Sequence, residues 1–199
     1  MRALMVVTAL ALAIPASANI TAGQAARDFK LRDTDGNVVA LSKYKGKTVV
    51  LEWNNPGCPF VKKHYASGNM QATQAAAKAQ GAVWLTINSG APGKQGHMSG
   101  AEAKAFVTAA KAVPTDYLLD PAGVVGKAYG AKTTPQIFVI RGNGQVAYQG
   151  AIDDKPTADP ADIKAARNHV TAALGELRAG KPVSVAETRS YGCSVKYAD

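Results

Sequence analysis

Residues 52–61 read Glu-Trp-Asn-Asn-Pro-Gly-Cys-Pro-Phe-Val. The run just before and into this stretch, 48–53, is rich in β-branched and apolar residues and predicts a strand. Asn54-Asn55-Pro56-Gly57 is a turn by composition. Pro59 has no N–H to leave unpaired and so suits the first turn of a helix. Cys58 therefore falls where a helix begins. There, unpaired backbone N–H groups and the positive end of the helix dipole favour the thiolate, which is the reactive form of a cysteine. The predicted chemistry is sulfur redox chemistry. The position three after Cys58 is Val61, so the chain carries no Cys-x-x-Cys.

Outward from this unit, Asp35-Gly36 between the apolar runs 29–32 and 38–41 signals a hairpin. The helix from Pro59 weakens at Ser67-Gly68 and resumes to 79. A second buried strand is expected over 82–88. A long Gly-rich loop, 89–100, reads as a functional or mobile segment. A helix follows over 101–113 with Ser99 as its cap, then a short strand at 116–119 and a short helix at 121–129. Thr133-Thr134-Pro135 leads into a second hairpin, 136–141 with 145–149, turned at Gly142-Asn143-Gly144. Asp159-Pro160 starts a last helix, on which Ile163, Ala166, Val170, Leu174 and Leu177 recur at helical spacing. Residues 181–199 show no periodicity. The order of elements predicts an α/β fold, a mixed sheet with helices on both faces.

Met1-Arg2, the apolar run 3–14 and Ala16-Ser17-Ala18 have the three parts of a secretory signal. Residues 1–18 are therefore read as a removable leader. The protein is expected in the bacterial periplasm, without stable membrane insertion after cleavage. Residues 19–180 form one domain and 181–199 a tail carrying Cys193. Loss of Arg2 lowers the formal net charge of +9 by one. The remaining lysines are scattered and no aromatic residues interleave with a basic stripe, which argues against a nucleic-acid surface.

The chain has two cysteines, Cys58 and Cys193. An oxidising compartment allows them to persist as a disulfide. Two readings stand open: a redox-active pair, or a fixed staple tying down the tail.

At this point the chain resembles the thioredoxin-fold superfamily and, within it, the peroxiredoxin-like redoxins of the AhpC/TSA group. The lead-in A-A-R-D-F-K-L-R-D-T-D-G-N-V-V-A-L-S-K-Y-K-G-K, the strand–turn–Cys58–helix unit, Thr134-Pro135 before a strand and the order of elements carry the resemblance. It covers about residues 25–178. It implies a thioredoxin-like fold and an antioxidant or thiol oxidoreductase activity that needs no cofactor beyond protein thiols. Its partners would be a disulfide-bearing protein or a peroxide, with an envelope thiol carrier as reductant. It implies that Cys58 is the nucleophile and that Pro135 is cis, exposing the Thr134 backbone to a substrate chain. Pro59, Thr134 and Pro135 are then the candidate substrate contacts, and Cys193 the candidate resolving thiol. The chain departs from the peroxiredoxin pattern: Leu51 and Asn55 stand where a proline and a hydroxyl position a peroxidatic thiol. That departure disfavours efficient peroxidase activity.

Val50 and Glu52 share one face of their strand, and Val49, Leu51 and Trp53 the other. Glu52 falls at the position of the buried acid of thioredoxins. It reads either as a general base with a raised pKa or as a salt-bridged strand-end residue. Lys62 and Lys63 either add positive potential at Cys58 or are solvated helix charges. His64 and His97 are isolated in sequence. A copper site from Cys58, His97 and Met98 is the remaining alternative, for a redoxin fold that binds a partner or a metal without catalysis.

Overall fold

Val49–Trp53 are all buried and form β3, the strand on which the architecture hangs. The structure, a computed structural model, describes residues 20–198. The leader expected at 1–18 lies outside them. In chain order the remaining elements are β1 (Lys30–Asp33), β2 (Val38–Ala40), α1 (Pro59–Ala66), α2 (Asn69–Ala79), β4 (Val83–Asn88), α3 (Gly100–Ala109), β5 (Asp116–Leu119), α4 (Val124–Tyr129), β6 (Thr133–Thr134), β7 (Gln136–Ile140), β8 (Val146–Gly150), α5 (His169–Arg178) and β9 (Cys193–Ser194). β3 pairs in parallel with β4 and antiparallel with β7. The full sheet has seven strands in the order β2-β1-β5-β4-β3-β7-β8. It is mixed, as the alternation followed by a late hairpin predicts.

The period of two along β3 divides the core. Val49, Leu51 and Trp53 face a layer with Leu85, Ile87, Leu118 and α4. There Trp53, Tyr129 and Phe138 meet ring to ring at 5.4 Å between each pair of centroids. Val50 faces the opposite layer, built from α1, α2 and α5. Helices thus cover both faces of a thioredoxin-like sheet.

Local chemistry sets the element ends. Gly68 takes φ +76°, a conformation glycine adopts without strain, and separates α1 from α2. Ser99 and Glu102 form a capping box at α3. α3 stops at Ala109, earlier than expected, because Lys111 turns left-handed at φ 51° ahead of Pro114.

The expected single last helix is corrected. Asp159 caps only a 3-10 turn, Pro160–Ala165. Ala166 is extended at ψ 135°, and α5 starts afresh at His169. Asn168 is the cause: its Oδ1 accepts from the Thr171 amide at 2.9 Å, and its Nδ2 donates to Thr73 Oγ1 at 2.9 Å. Val170, Ala173 and Leu174 carry the buried face, while Ile163 and Ala166 are only half-buried. Asn168→Ala removes both bonds and is expected to cost about 1–2 kcal/mol. Urea unfolding should show a lower midpoint at unchanged slope.

The tail, which shows no periodicity in sequence, is tied to the sheet. Ala186 and Thr188 bond Gln149 on β8, and β9 pairs antiparallel with β6.

Candidate active site

Cys58 caps α1, with Pro59 as the first helical residue, as the sequence predicts. The turn before it is held by Asn55, whose Oδ1 accepts from the Gly57 amide at 2.9 Å and whose Nδ2 donates to Gln95 Oε1 at 2.9 Å. Gln95 lies in the 89–100 loop, and that loop is built against the turn. Asn88 Nδ2 donates to Gly96 O at 2.8 Å, and a Cβ on Gly96 would fall 2.1 Å from Asn55 Oδ1. A glycine there lets the loop touch the Cys58 turn. The composition suggests mobility, but the contacts make it a buttress.

The Cys58 side chain is buried, at 1% exposure. Its sulfur lies 3.1 Å from the Thr134 carbonyl oxygen and 2.7 Å from Cys193 Sγ. No S–S bond joins the two sulfurs in the structure. Thr134-Pro135 is cis. Register sets Thr134 opposite Cys193, so β6 carries the tail to the sulfur. Cys58, Pro59, Thr134, Pro135 and Cys193 therefore come together at one place, although Cys193 is 135 residues from Cys58.

The two thiols ionise unequally. Burial resists ionisation of Cys58. Hydrogen bonds from the Cys193 thiol, from the Val61 and Cys193 backbone and from the Thr134 side chain outweigh it, holding Cys58 below its ordinary value. The Thr134 carbonyl works the other way, since it accepts from the protonated thiol. Cys193 is pushed up to about 11 by burial, by its hydrogen bond to Cys58 and by the charge there. Cys58 takes the negative charge and Cys193 keeps the proton.

Alkylation of Cys58 is accordingly expected to rise with pH through a midpoint below that of an ordinary thiol. Cys193→Ala deletes the S–H donor and should move that midpoint upward. Peptide-resolved alkylation across pH reads it, and an unmoved midpoint contradicts the assignment.

Glu52 is apart from the sulfurs. It is fully buried in the opposite direction of β3 from Trp53. Burial raises its pKa, against hydrogen bonds from Tyr65, Trp84, Asn54 and Thr86. Tyr65 OH and Trp84 Nε1 donate at 2.7 and 2.9 Å, Thr86 Oγ1 at 3.0 Å, Asn54 Nδ2 at 3.1 Å and Gln74 Nε2 at 3.3 Å. These partners are uncharged donors, so the salt-bridge reading is replaced by a hydrogen-bonded buried acid. Its link to Cys58 runs along α1, which Cys58 caps and on which Tyr65 sits.

Lys62 is exposed, but Lys63 is not a solvated charge. Its side chain is buried, with Nζ 2.7 Å from the Lys155 carbonyl, 3.7 Å from Asp153 Oδ2 and 5.7 Å from the centroid of the Tyr191 ring. His64 is not isolated either. Nε2 meets Tyr191 OH at 3.2 Å and Nδ1 meets Asn69 Nδ2 at 2.8 Å. Burial, ahead of the opposing charges of Asp153 and Lys63, depresses His64 to about 4, so its ring is neutral. Tyr191 OH donates to Asp153 Oδ1. This cluster went unread in the sequence. Its one signal is spacing: Lys63 and His64 follow Phe60 by three and four residues, on one stripe of α1.

The residues of the copper alternative are engaged elsewhere. The His97 ring meets the Gly90 carbonyl at 2.8 Å, and Met98 Sδ accepts from Tyr117 OH at 3.3 Å. Among the described residues no group of three or more His, Cys, Asp and Glu side chains is arranged to hold a metal.

The model of the AhpC/TSA family matches residues 22–149. No curated protein matches the chain. Solved structures do. An uncharacterized conserved protein from Geobacillus kaustophilus is 28% identical with a TM-score of 0.76, covering 94% of this chain and 98% of its own. A hypothetical protein from Sinorhizobium meliloti 1021 is 27% identical with a TM-score of 0.73, covering 92% and 97%. A protein from Chlorobium tepidum, assigned as a thiol:disulfide interchange protein DsbE, is 29% identical with a TM-score of 0.58, covering 79% and 100%.

Proposed function

The chain belongs to the AhpC/TSA family, and from that premise we propose that it is an exported thiol–disulfide oxidoreductase in which Cys58 attacks and Cys193 resolves. The observation that carries this reading is the second thiol delivered by the tail to within 2.7 Å of a helix-capping cysteine.

The steps follow from the ionisation order. The Cys58 thiolate attacks one sulfur of a substrate disulfide, forming a mixed disulfide and releasing the other sulfur as thiolate. That thiolate is protonated by solvent. Cys193 loses its proton to solvent and attacks the Cys58 sulfur. The second substrate thiolate leaves, and Cys58–Cys193 forms. The substrate gains two electrons and the chain loses two. A dithiol carrier of the envelope returns them. Thr134 and Pro135 line the place where the substrate chain meets Cys58.

Peroxide is the weaker substrate reading. At the position where a peroxiredoxin places its hydroxyl, Asn55 is spent on Gln95 and Gly57.

The test is the reduction potential of the pair with mass mapping of the bond. A Cys58–Cys193 bond that equilibrates with thiol buffers between about −120 and −270 mV supports a working redox pair. A bond that resists reduction until below about −300 mV marks a structural staple and a binding role instead.

A further inference from the structure

The tail that brings Cys193 to Cys58 lies along β6 as a bound peptide would. Tyr191, Cys193, Val195 and Tyr197 alternate with Gly192, Ser194 and Lys196, and the first set points into the body of the protein. Val195 packs on the core and its amide donates to the Lys132 carbonyl at 3.0 Å. Tyr197 OH donates to the Ala131 carbonyl at 2.7 Å. Main-chain pairing with alternate side chains in pockets is the mode by which a sheet edge recognises an extended chain.

Three consecutive positions are read stringently. Cys193 meets the Cys58 sulfur. Gly192 sits at φ +131°, and a Cβ there would fall 2.0 Å from the Thr134 carbonyl oxygen and 2.8 Å from its carbon. That backbone belongs to the strand end and cannot move aside, so only glycine fits before the cysteine. Tyr191 enters the pocket of Phe60, Lys63, His64 and Asp153. Phe60 meets its ring edge to face at 5.8 Å, and the Lys63 ammonium lies over it. Asp153 accepts its hydroxyl proton, and His64 Nε2 lies 3.2 Å from the same oxygen. The Lys63 and Asp153 side chains are 0% and 1% exposed, and Asp153 Oδ2 has no hydrogen-bond partner. The pocket therefore offers a phenol a ring partner, a cation and a hydroxyl acceptor.

We propose that this groove is a peptide-binding site that reads the signature Tyr-Gly-Cys, that the tail is its resident occupant, and that a partner protein delivers its cysteine to Cys58 by seating the same three residues in the same three positions. The proposal rests on the reading of Cys58 as the nucleophile and names its substrate class: an extended segment with a phenol two residues, and a glycine one residue, before a disulfide-bonded cysteine. The tethered tail competes at high effective concentration, so a partner gains the groove only as the tail leaves. In the exchange, the Cys58 thiolate attacks the partner's cysteine sulfur. The new bond joins Cys58 to the partner, and the former disulfide mate departs with the electron pair.

The test uses the full chain carrying Cys193→Ser, which prevents resolution, together with Gly192→Ala, which unseats the tail. The probes are peptides of residues 190–197 with the cysteine as a mixed disulfide to thionitrobenzoate, whose release is coloured. The Tyr-Gly-Cys peptide is expected to react at least about tenfold faster than peptides with alanine in the tyrosine or the glycine place. A glutathione mixed disulfide with the same leaving group reports whether Cys58 exchanges at all. If it reacts and the three peptides react alike, the signature is overturned while the nucleophile stands. If neither it nor the peptides react, the nucleophile reading fails and takes the proposal with it. Tyr191→Ala with Cys193→Ser unseats the tail by a different route. It should give the same peptide order, and a different order would overturn the assignment.

Discussion

With Cys193 replaced by serine, a disulfide substrate is expected to remain on Cys58 as a stable mixed disulfide. With Cys58 replaced by serine, turnover is expected to fall by more than about 10³-fold. The asymmetry has a structural origin. Cys58 is stabilised as thiolate by donors from Val61 and Cys193, whereas Cys193 is held protonated near 11. On the proposed reading, the first attack therefore falls to Cys58. Once a substrate sulfur occupies Cys58, the negative charge beside Cys193 is gone, and with it one of the causes that raise its pKa. Resolution is thus released by the first step. Serine at 193 keeps a hydroxyl beside Cys58 but cannot expel the substrate. Intact-mass analysis after mixing with a model disulfide separates the outcomes. A trapped adduct on Cys193→Ser and none on Cys58→Ser is the expected pair. An adduct on Cys193 in the Cys58→Ser protein, formed at a rate matching the wild type, would reverse the roles.

Much of this is legible in the sequence alone. The Thr48–Trp53 run, the turn and Pro59 put Cys58 at a helix start, and the alternation of elements gave the mixed sheet. Those features rest on local rules: β-branched runs, turn residues and proline at a first helical turn. The cis Thr134-Pro135 bond is legible only through the family resemblance, because local rules alone allow an ordinary trans proline entering a strand. What escaped is what depends on meetings between distant residues. Lys63 looks like any helix lysine, and only the return of Asp153 and Tyr191, 90 and 128 positions later, takes it out of water. The 89–100 loop has a mobile composition, yet Gly90 lets its own backbone close up and Gly96 lets Asn55 come close. The break before α5 is subtle for another reason. Apolar spacing runs straight through Ala166, while the side chain of Asn168 bonds the Thr171 amide and ends the pattern locally.

Asp153→Ala is expected to destabilise the protein by about 3–5 kcal/mol, because it leaves a buried ammonium without its counter-charge. Lys63 Nζ would keep the Lys155 carbonyl and the face of Tyr191, and Tyr191 OH would lose its acceptor. At 3.7 Å the Lys63–Asp153 contact is an ion pair rather than a hydrogen bond. Its contribution is therefore charge compensation in a site closed to water. A desolvated charge is costly alone and roughly neutral when matched, so the singles and the double should differ sharply. Lys63→Met with Asp153→Ala is expected to recover most of the loss, and a double-mutant cycle on thermal or urea unfolding reads the coupling. For a chain of this size the single substitution should lower Tm by roughly 10 °C. The same substitution acts on the site through the tail. With the Tyr191 hydroxyl's acceptor lost, the tail is held less firmly over Cys58, and at a pH above the Cys58 midpoint, where ionisation no longer limits the rate, Cys58 should alkylate faster in the folded protein well below Tm. A Tm within about 2 °C of the wild type would mean that water reaches Lys63. The pocket would then be a surface contact, and neither the stability of this layer nor the seating of the tail would depend on the pair.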